Sequence, residues 1–573
     1  MVKRLSLMLL ACSAGYLVAQ SEYFKPVADI AEAAEEKLTA EMIARYYDSF
    51  DRPLRAGNYL ASRHAQIHHD WTNANFYVNK LIKNGVSGRD ITQRAMVLSI
   101  GNGDAKRAIS IAQDFRSQNP NEENTIVDLL LVSELIKNKN YDEALKSLKD
   151  QNKNATFNFV APFLEAWIKA ANDELYLDNL KKNTAQLYHA ILISDYLDDH
   201  TQMEEMITHA LSVEDITQGE IEKMADLYSH TGMNDKAIEL YEKILKSSPD
   251  DETIQNKIAS LKAGTFEPLF DKIESPQHGI GQAFSDIAKI LYRENNDETA
   301  RVFAHLGLYL APDMTATKFL LAQINIKHEQ YDEAFALYNS IPKDDEHFLK
   351  AQYEIASLYE ETGDIDKALN LLSELVKEDE NVDTIIKIGD LNRHQSNFGL
   401  AIKSYDRAVE LLGDTLPDEY WHLHYVRGIS YEQANNWAAA EKELETALKY
   451  RPDHPYILNY LGYAWADKGV NLEQALEMIQ RASELRPSDG YITDSLGWIM
   501  YRMKDFEQSV KTLERAVELL PYDPTINDHL GDAYWQVGRK LEAKFQWRRA
   551  KNHSEDSEQI STIEKKLSEG LME

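Results

Sequence analysis

Cysteine is nearly missing from this sequence. Cys12 is the only one in 573 residues, which rules out a disulfide framework and a cysteine-based metal site. Only 15 prolines and 24 glycines are spread over that length, too few for wholesale disorder or a turn-rich β fold. Basic charge is also short. The 62 Lys and Arg face 94 Asp and Glu, a formal charge of −32 with no long basic run, so a nucleic-acid backbone would be repelled and the surface reads as solubilising. Beyond the first twenty residues no apolar run is long enough to span a bilayer. Motifs that carry chemistry are missing too: there is no Gly-x-x-x-x-Gly-Lys-Ser/Thr loop, no Gly-x-Gly-x-x-Gly after a strand and no Gly-x-Ser-x-Gly elbow.

What remains is a chain 43% hydrophobic and 27% charged, which reads as long helices. It is also far too long for one hydrophobic core, so a repeat architecture is the first thing to look for. A recurring phrase answers to that description. An aromatic or large apolar residue is followed three positions later by Ala, then by apolar residues at helical spacing. The phrase reads Trp437 with Ala440, Leu444 and Ala447; Leu472 with Ala475, Ile479 and Ala482; Phe506 with Ser509, Leu513 and Ala516; and finally Ala543, Trp547 and Ala550.

Pro452, Pro487 and Pro521 follow three of these units, and Gly428, Gly462, Gly497 and Gly531, at steps of 34, 35 and 34, are expected to open the preceding helices. Earlier copies keep the phase: Ala300, Ala334 and Ala368 are 34 apart, Ala401 follows at 33, and Ala74 to Ala108 is again 34. Trp71, Tyr141, Tyr331 and Phe398 fill the aromatic slot, and Ala144 and Ala237 mark further units. The register is lost over 150–220 and 250–285, and Ala237 to Ala300 is 63. Each unit is predicted to be two antiparallel helices, and no unit can bury its apolar face without its neighbours.

This pattern resembles the tetratricopeptide repeat family, most sharply between 421 and 551. Met500 and Asn392 at the Tyr position, with Ile341 and Ile244 at the last Ala position, depart from it. The resemblance implies an all-α solenoid of stacked helix pairs. The predicted organisation is an N-terminal helical cap over 20–54, a degenerate array over 55–250, an atypical segment over 251–284, a further array over 285–551 and a polar capping helix over 552–573.

The first nineteen residues read as an export signal: Lys3 and Arg4, then an apolar stretch from Leu5 to Ala19, with no acidic residue before Glu22. Cleavage after Ala19 is one expectation. The other is acylation of Cys12, because Leu9-Leu10-Ala11-Cys12 resembles the lipobox of bacterial lipoproteins. Both alternatives make the product an exported one, periplasmic or attached to the outer membrane by lipid.

No catalytic residue, cofactor or metal site is assigned. His64 and His68 stand four apart on an expected helix, a spacing able to present two imidazoles to zinc, but they read as a polar helix face. The family resemblance implies instead that the first helix of each unit lines a concave groove, through the residues three and six before the glycine and one and four after it. Carried onto this sequence, that selects Tyr425 and Ile429; Tyr456, Asn459 and Tyr463; Tyr491, Asp494, Trp498 and Tyr501; and Asp528, Asp532 and Trp535. Asn459, Asp494 and Asp528 share a register and are expected to form a polar ladder for an extended peptide backbone between aromatic walls.

The function this implies is a non-catalytic scaffold for protein partners. The phrases Leu461-Gly-Tyr-Ala-Trp-Ala-Asp and Asp494-Ser-Leu-Gly-Trp-Ile-Met-Tyr are similar to exported bacterial tetratricopeptide proteins, among them adaptors for a carboxyl-terminal processing protease. The alternative is an assembly factor of a secretion, pilus or polysaccharide-export machine.

Overall fold

A computed structural model describes residues 55–86, 88–150, 155–213, 216–248, 251–266, 272–413 and 416–571. The export signal, Cys12 and the cap expected over 20–54 lie outside them. The described residues are all-α, and the chain divides into two compact units meeting at residues 351 and 352.

The first unit begins with the pairs α1 (Arg55–Ile67) and α2 (Trp71–Lys83), α3 (Arg89–Gly101) and α4 (Ala105–Gln118), and α5 (Thr125–Lys137) and α6 (Tyr141–Asp150). A single helix, α7 (Ala155–Ala170), precedes the pairs α8 (Thr184–Tyr196) with α9 (His200–Leu211) and α10 (Gln218–His230) with α11 (Asn234–Leu245). Another single helix, α12 (Glu252–Ala263), leads to α13 (Pro276–Arg293) with α14 (Asp297–Leu310), and α15 (Thr315–Lys327) with α16 (Tyr331–Asn339). The two helices without a repeat partner, α7 and α12, lie in the stretches where the periodicity fades. The extra α12 accounts for the 63-residue step from Ala237 to Ala300.

The boundary between units falls inside α17 (Phe348–Glu361), which is followed by α18 (Ile365–Glu378). The second unit continues with α19 (Val382–His394) and α20 (Phe398–Leu412), α21 (Trp421–Gln433) and α22 (Trp437–Tyr450), and α23 (Pro455–Lys468) and α24 (Leu472–Leu485). It ends with α25 (Gly490–Arg502) and α26 (Phe506–Leu519), α27 (Pro524–Gln536) and α28 (Lys540–His553), and the single α29 (Ser557–Glu569).

The period has a direct structural meaning. Ala74, Ala108, Ala144, Ala237, Ala300, Ala334, Ala368, Ala401, Ala440, Ala475 and Ala543, with Ser509, are all fully buried near the start of second helices. Any larger side chain there would hold the two helices of a pair apart. The aromatic slot is the first residue of the second helix, as at Trp71, Tyr141, Tyr331, Phe398, Trp437 and Phe506. Two residues before it the chain turns through a left-handed conformation, at His69, Lys139, Glu329, Ser396, Asn435 and Lys504. Asp198 and Asn295 do the same two residues before α9 and α14, and the turn is what reverses the chain between paired helices.

The glycines of the 34-residue period do not open the first helices, as expected from the sequence. Each is the eighth residue of its helix, facing the second helix across a close approach. A Cβ on Gly428 would sit 2.9 Å from Leu444 Cγ, and one on Gly497 2.5 Å from Leu513 Cγ. The openings are made by other means: Pro455 and Pro524 stand at the first helical position, and Asp489 and Asp523 cap the next turn.

In the second unit α23 packs on α25 and α25 on α27, whereas consecutive second helices do not approach to that degree. The first helices therefore form the inner, crowded side of the curve. In the first unit the α13–α14 pair, besides packing on α15, also packs on α3, α5, α7 and α8.

Candidate binding groove

The inner face of the second unit is built from one residue register repeated helix by helix. Tyr456 and Tyr491, each six residues before a buried glycine, occupy equivalent places on α23 and α25. They are 43% and 61% exposed, where neighbouring positions on the same helices are buried. Two large aromatic rings kept in water at one repeated position are not required by packing.

Beside them the wall is fixed by ring contacts. His454, just before Pro455, lies 4.8 Å from Trp421, 6.5 Å from Tyr425 and 5.8 Å from Tyr456 between centroids. Tyr425 meets Tyr460 edge-on at 6.1 Å. Burial, helped by the Arg451 and Arg486 charges, holds the His454 imidazole below its ordinary pKa, so it is neutral near pH 7. Tyr463, half-buried between α23 and the Asp494 and Asp467 carboxylates, has its phenol pushed up to about 12, chiefly by burial, and remains a hydrogen-bond donor.

Further along, Trp498 is held between two rings, Tyr501 at 4.9 Å and His529 at 4.1 Å, both nearly parallel to it. The His529 ring is anchored in turn: its Nδ1 lies 3.0 Å from each carboxylate oxygen of Asp494. Ile429 is half-buried on α21.

The polar ladder has unequal rungs. Asp494 is committed to His529, and Asp528 and Asp532 to the Lys566 ammonium of α29 at 2.7 and 2.8 Å. Asp532 also accepts from the Trp547 indole at 2.9 Å. Trp535 is covered by Gly570, just past α29, where a Cβ would fall 2.1 Å from its ring. The acidic members thus tie α25, α27 and α29 together. Asn459 Oδ1, the second oxygen of Asp528 (Oδ1) and the Trp498 indole nitrogen are buried without a hydrogen-bond partner.

His454, Tyr460, His529 and Lys566 were not selected from the sequence, because they lie off the four positions counted from the glycine. The one signal available was spacing: His529 follows Asp494 by 35 residues, one repeat. His64 and His68 have ring centroids 4.5 Å apart, while His69 stacks on His328 at 3.6 Å. Among the described residues no group of three or more His, Cys, Asp or Glu is arranged to hold a metal ion. No helix among them is long and apolar enough to cross a membrane.

Comparison with known proteins places tetratricopeptide repeats at residues 222–251, 325–385 and 425–490, each matching a tetratricopeptide repeat family model. A tetratricopeptide repeat-containing protein of Pseudomonas aeruginosa is 30% identical over 182 residues, 31% of this chain and 30% of that protein. The chain therefore spans under a third of that relative's length. Among solved structures, a chain of the APC/C hetero-tetramer aligns over 92% of this chain and 98% of its own, at 14% identity and a TM-score of 0.39. The tetratricopeptide protein YrrB, described as having an unusual peptide-binding site, aligns over 34% of this chain and 97% of its own, at 18% identity and a TM-score of 0.27.

Proposed function

Taking the chain as a tetratricopeptide repeat protein, we propose that it is a non-catalytic adaptor whose second unit binds an extended segment of a partner protein along α21, α23, α25 and α27. The observation that carries this reading is the repeated exposure of Tyr456 and Tyr491 on adjacent first helices. Aromatic rings with a polar tip, set beside fixed hydrogen-bonding groups, are the side chains that dominate protein-binding hot spots. The wall around them is held by stacking and ion pairing before any partner arrives, which lowers the entropy cost of capture.

The proposed setting is the bacterial envelope, with the product exported through its first nineteen residues or acylated at Cys12. The proposed partner is a carboxyl-terminal processing protease, which this adaptor brings to its substrates. Support for these points comes from the N-terminal composition and from the repeat phrases around Leu461 and Asp494.

The test is affinity capture from envelope extract with the native chain and with Tyr456→Ala/Tyr491→Ala. The adaptor reading expects a protease and its substrates with the native chain and their loss with the variant, at unchanged helicity. Secretion or export subunits in their place would favour an assembly factor. Capture unaffected by the variant would remove the groove. Mass analysis of the mature N-terminus decides between cleavage after Ala19 and acylation of Cys12.

A further inference from the structure

The last of the second helices, α28, departs from its own repeat register. In α22, α24 and α26 the second residue is Ala438, Glu473 or Glu507, the sixth Lys442, Glu477 or Lys511, and the ninth Glu445, Gln480 or Glu514. In α28 the same three places hold Leu541, Phe545 and Arg548. Places that are small or polar elsewhere have become bulky and apolar, and an acid or amide has become a cation.

Packing does not account for the change. Helix α28 packs on α27 and α29 and buries Ala543, Trp547 and Ala550. Leu541 and Phe545 stand on the far side, 84% and 56% exposed. With Lys544 and Arg548 they fall at i, i+3, i+4 and i+7, which is a single stripe along a helix. Tyr522, 69% exposed, adds a further ring near the end of that helix, 5.2 Å from His553 between centroids.

Charge changes along with hydrophobicity. From Arg539 to Lys551 the sequence carries six cations and one acid, in a chain whose formal charge is −32. Four of the six are engaged. Arg539 holds Glu514 and Glu542, Lys551 holds Glu564 at 2.7 Å, Arg549 donates to the Pro521 carbonyl, and Lys540 lies over the Trp535 ring. Lys544 and Arg548, the two cations of the stripe, have no acidic partner among the described residues.

Bulky apolar side chains raised above a helix, with unpaired cations beside them, suit the boundary of an anionic bilayer. The apolar groups enter below the headgroups while the cations meet phosphate. A stable protein partner would cover about 800 Å² of this chain, far more than one stripe of four side chains offers. The acidity of the whole chain does not oppose the contact. At physiological salt each charge is screened within about 8 Å, so a bilayer senses only the face laid against it.

We propose that α28 is a peripheral membrane contact, through which the end of the second unit rests on an anionic phospholipid bilayer. The contact lies on a second helix and is independent of what the groove on the first helices holds.

The test is sedimentation of the full chain with vesicles of phosphatidylglycerol and phosphatidylcholine in equal parts, or of phosphatidylcholine alone. Every form carries Cys12→Ser, so that no acyl chain contributes and the N-terminal sequence is common to all. Lys544→Gln/Arg548→Gln is expected to lower partitioning onto the anionic vesicles roughly tenfold or more, each cation near such a surface being worth about fivefold. Leu541→Ser/Phe545→Ser is expected to do the same, at unchanged helicity. Lys403→Gln/Lys442→Gln, which removes two cations from the sixth places of α20 and α22, is expected to have no effect. Equal partitioning of all forms, equal loss in this control pair, or no preference for the anionic vesicles would overturn the proposal. A photoreactive phenylalanine at Phe545 is expected to give lipid adducts in the native cell. Adducts to an acidic protein in their place would assign the stripe to that protein and overturn the membrane contact.

Discussion

His529 sits with its Nδ1 3.0 Å from both oxygens of Asp494, one repeat away, and its ring flat against Trp498. Burial works against the imidazolium, but the Asp494 carboxylate outweighs it and raises the pKa of His529 above its ordinary value. The pair makes one wall of the groove an ion pair with a titratable partner.

A pH dependence follows from that sign. A histidine whose folded pKa is raised contributes stability that is fully present below about 6.5, its unfolded value, and is lost as pH rises through the folded value. Hydrogen exchange in α25 and α27 is therefore expected to quicken as pH is raised above neutrality, after correction for intrinsic exchange. Asp494→Asn is expected to weaken this dependence, leaving only the more distant Asp528 and Asp532 charges, and to cost about 1–3 kcal/mol by giving the imidazole a weaker partner.

The first unit is expected to respond the other way. His305, beside Gly103 and the Arg301 charge, is pushed down to about 3, mainly by burial. With the folded value below the unfolded one, the unfolded chain takes up more protons between about 6.5 and 3, so stability is lost as pH falls through that window. Protection of α14 is expected to weaken on mild acidification, and His305→Gln is expected to flatten the response.

Much of the fold is legible in the sequence because its determinants are local. A small residue at the fourth place of a second helix, an aromatic at the first and a proline two residues past the end all act within one repeat. Ala300, Ala334 and Ala368 announce themselves by spacing and are fully buried. The docking of α14 on α3 has no such signature, since Arg301 and Gly101 stand 200 residues apart and neither breaks a local pattern. The groove was half legible for the same reason. Tyr456 and Tyr491 follow from the repeat register. The engagement of Asp494 by His529, and of Asp528 and Asp532 by Lys566, depends on side chains outside that register.

Glycine substitutions separate packing from propensity. Gly497→Ala places a methyl 2.5 Å from Leu513 Cγ and is expected to destabilise the second unit by about 1–3 kcal/mol in thermal or denaturant unfolding. Gly399→Ala, in α20 with nothing within 4 Å of the new Cβ, is expected to stabilise it by about 0.5–1 kcal/mol.

Lys566 holds α29 to α27 through Asp528 and Asp532. Lys566→Met removes the shared counter-charge from two carboxylates at close quarters, and is expected to cost about 3–5 kcal/mol locally. The readout is hydrogen exchange: α29 and α27 lose protection while α21 and α22 keep theirs.

The most direct test of the groove is site-specific photo-crosslinking in the native cell, with a photoreactive phenylalanine placed in turn at Tyr456, Tyr491 and Leu541. Leu541, on the second helix α28, is 84% exposed, more than either tyrosine, so exposure alone favours it. The expected result is adducts to one and the same protein from Tyr456 and Tyr491 and none to that protein from Leu541. Equal adducts from Leu541, or none from the two tyrosines, would contradict binding along the inner face.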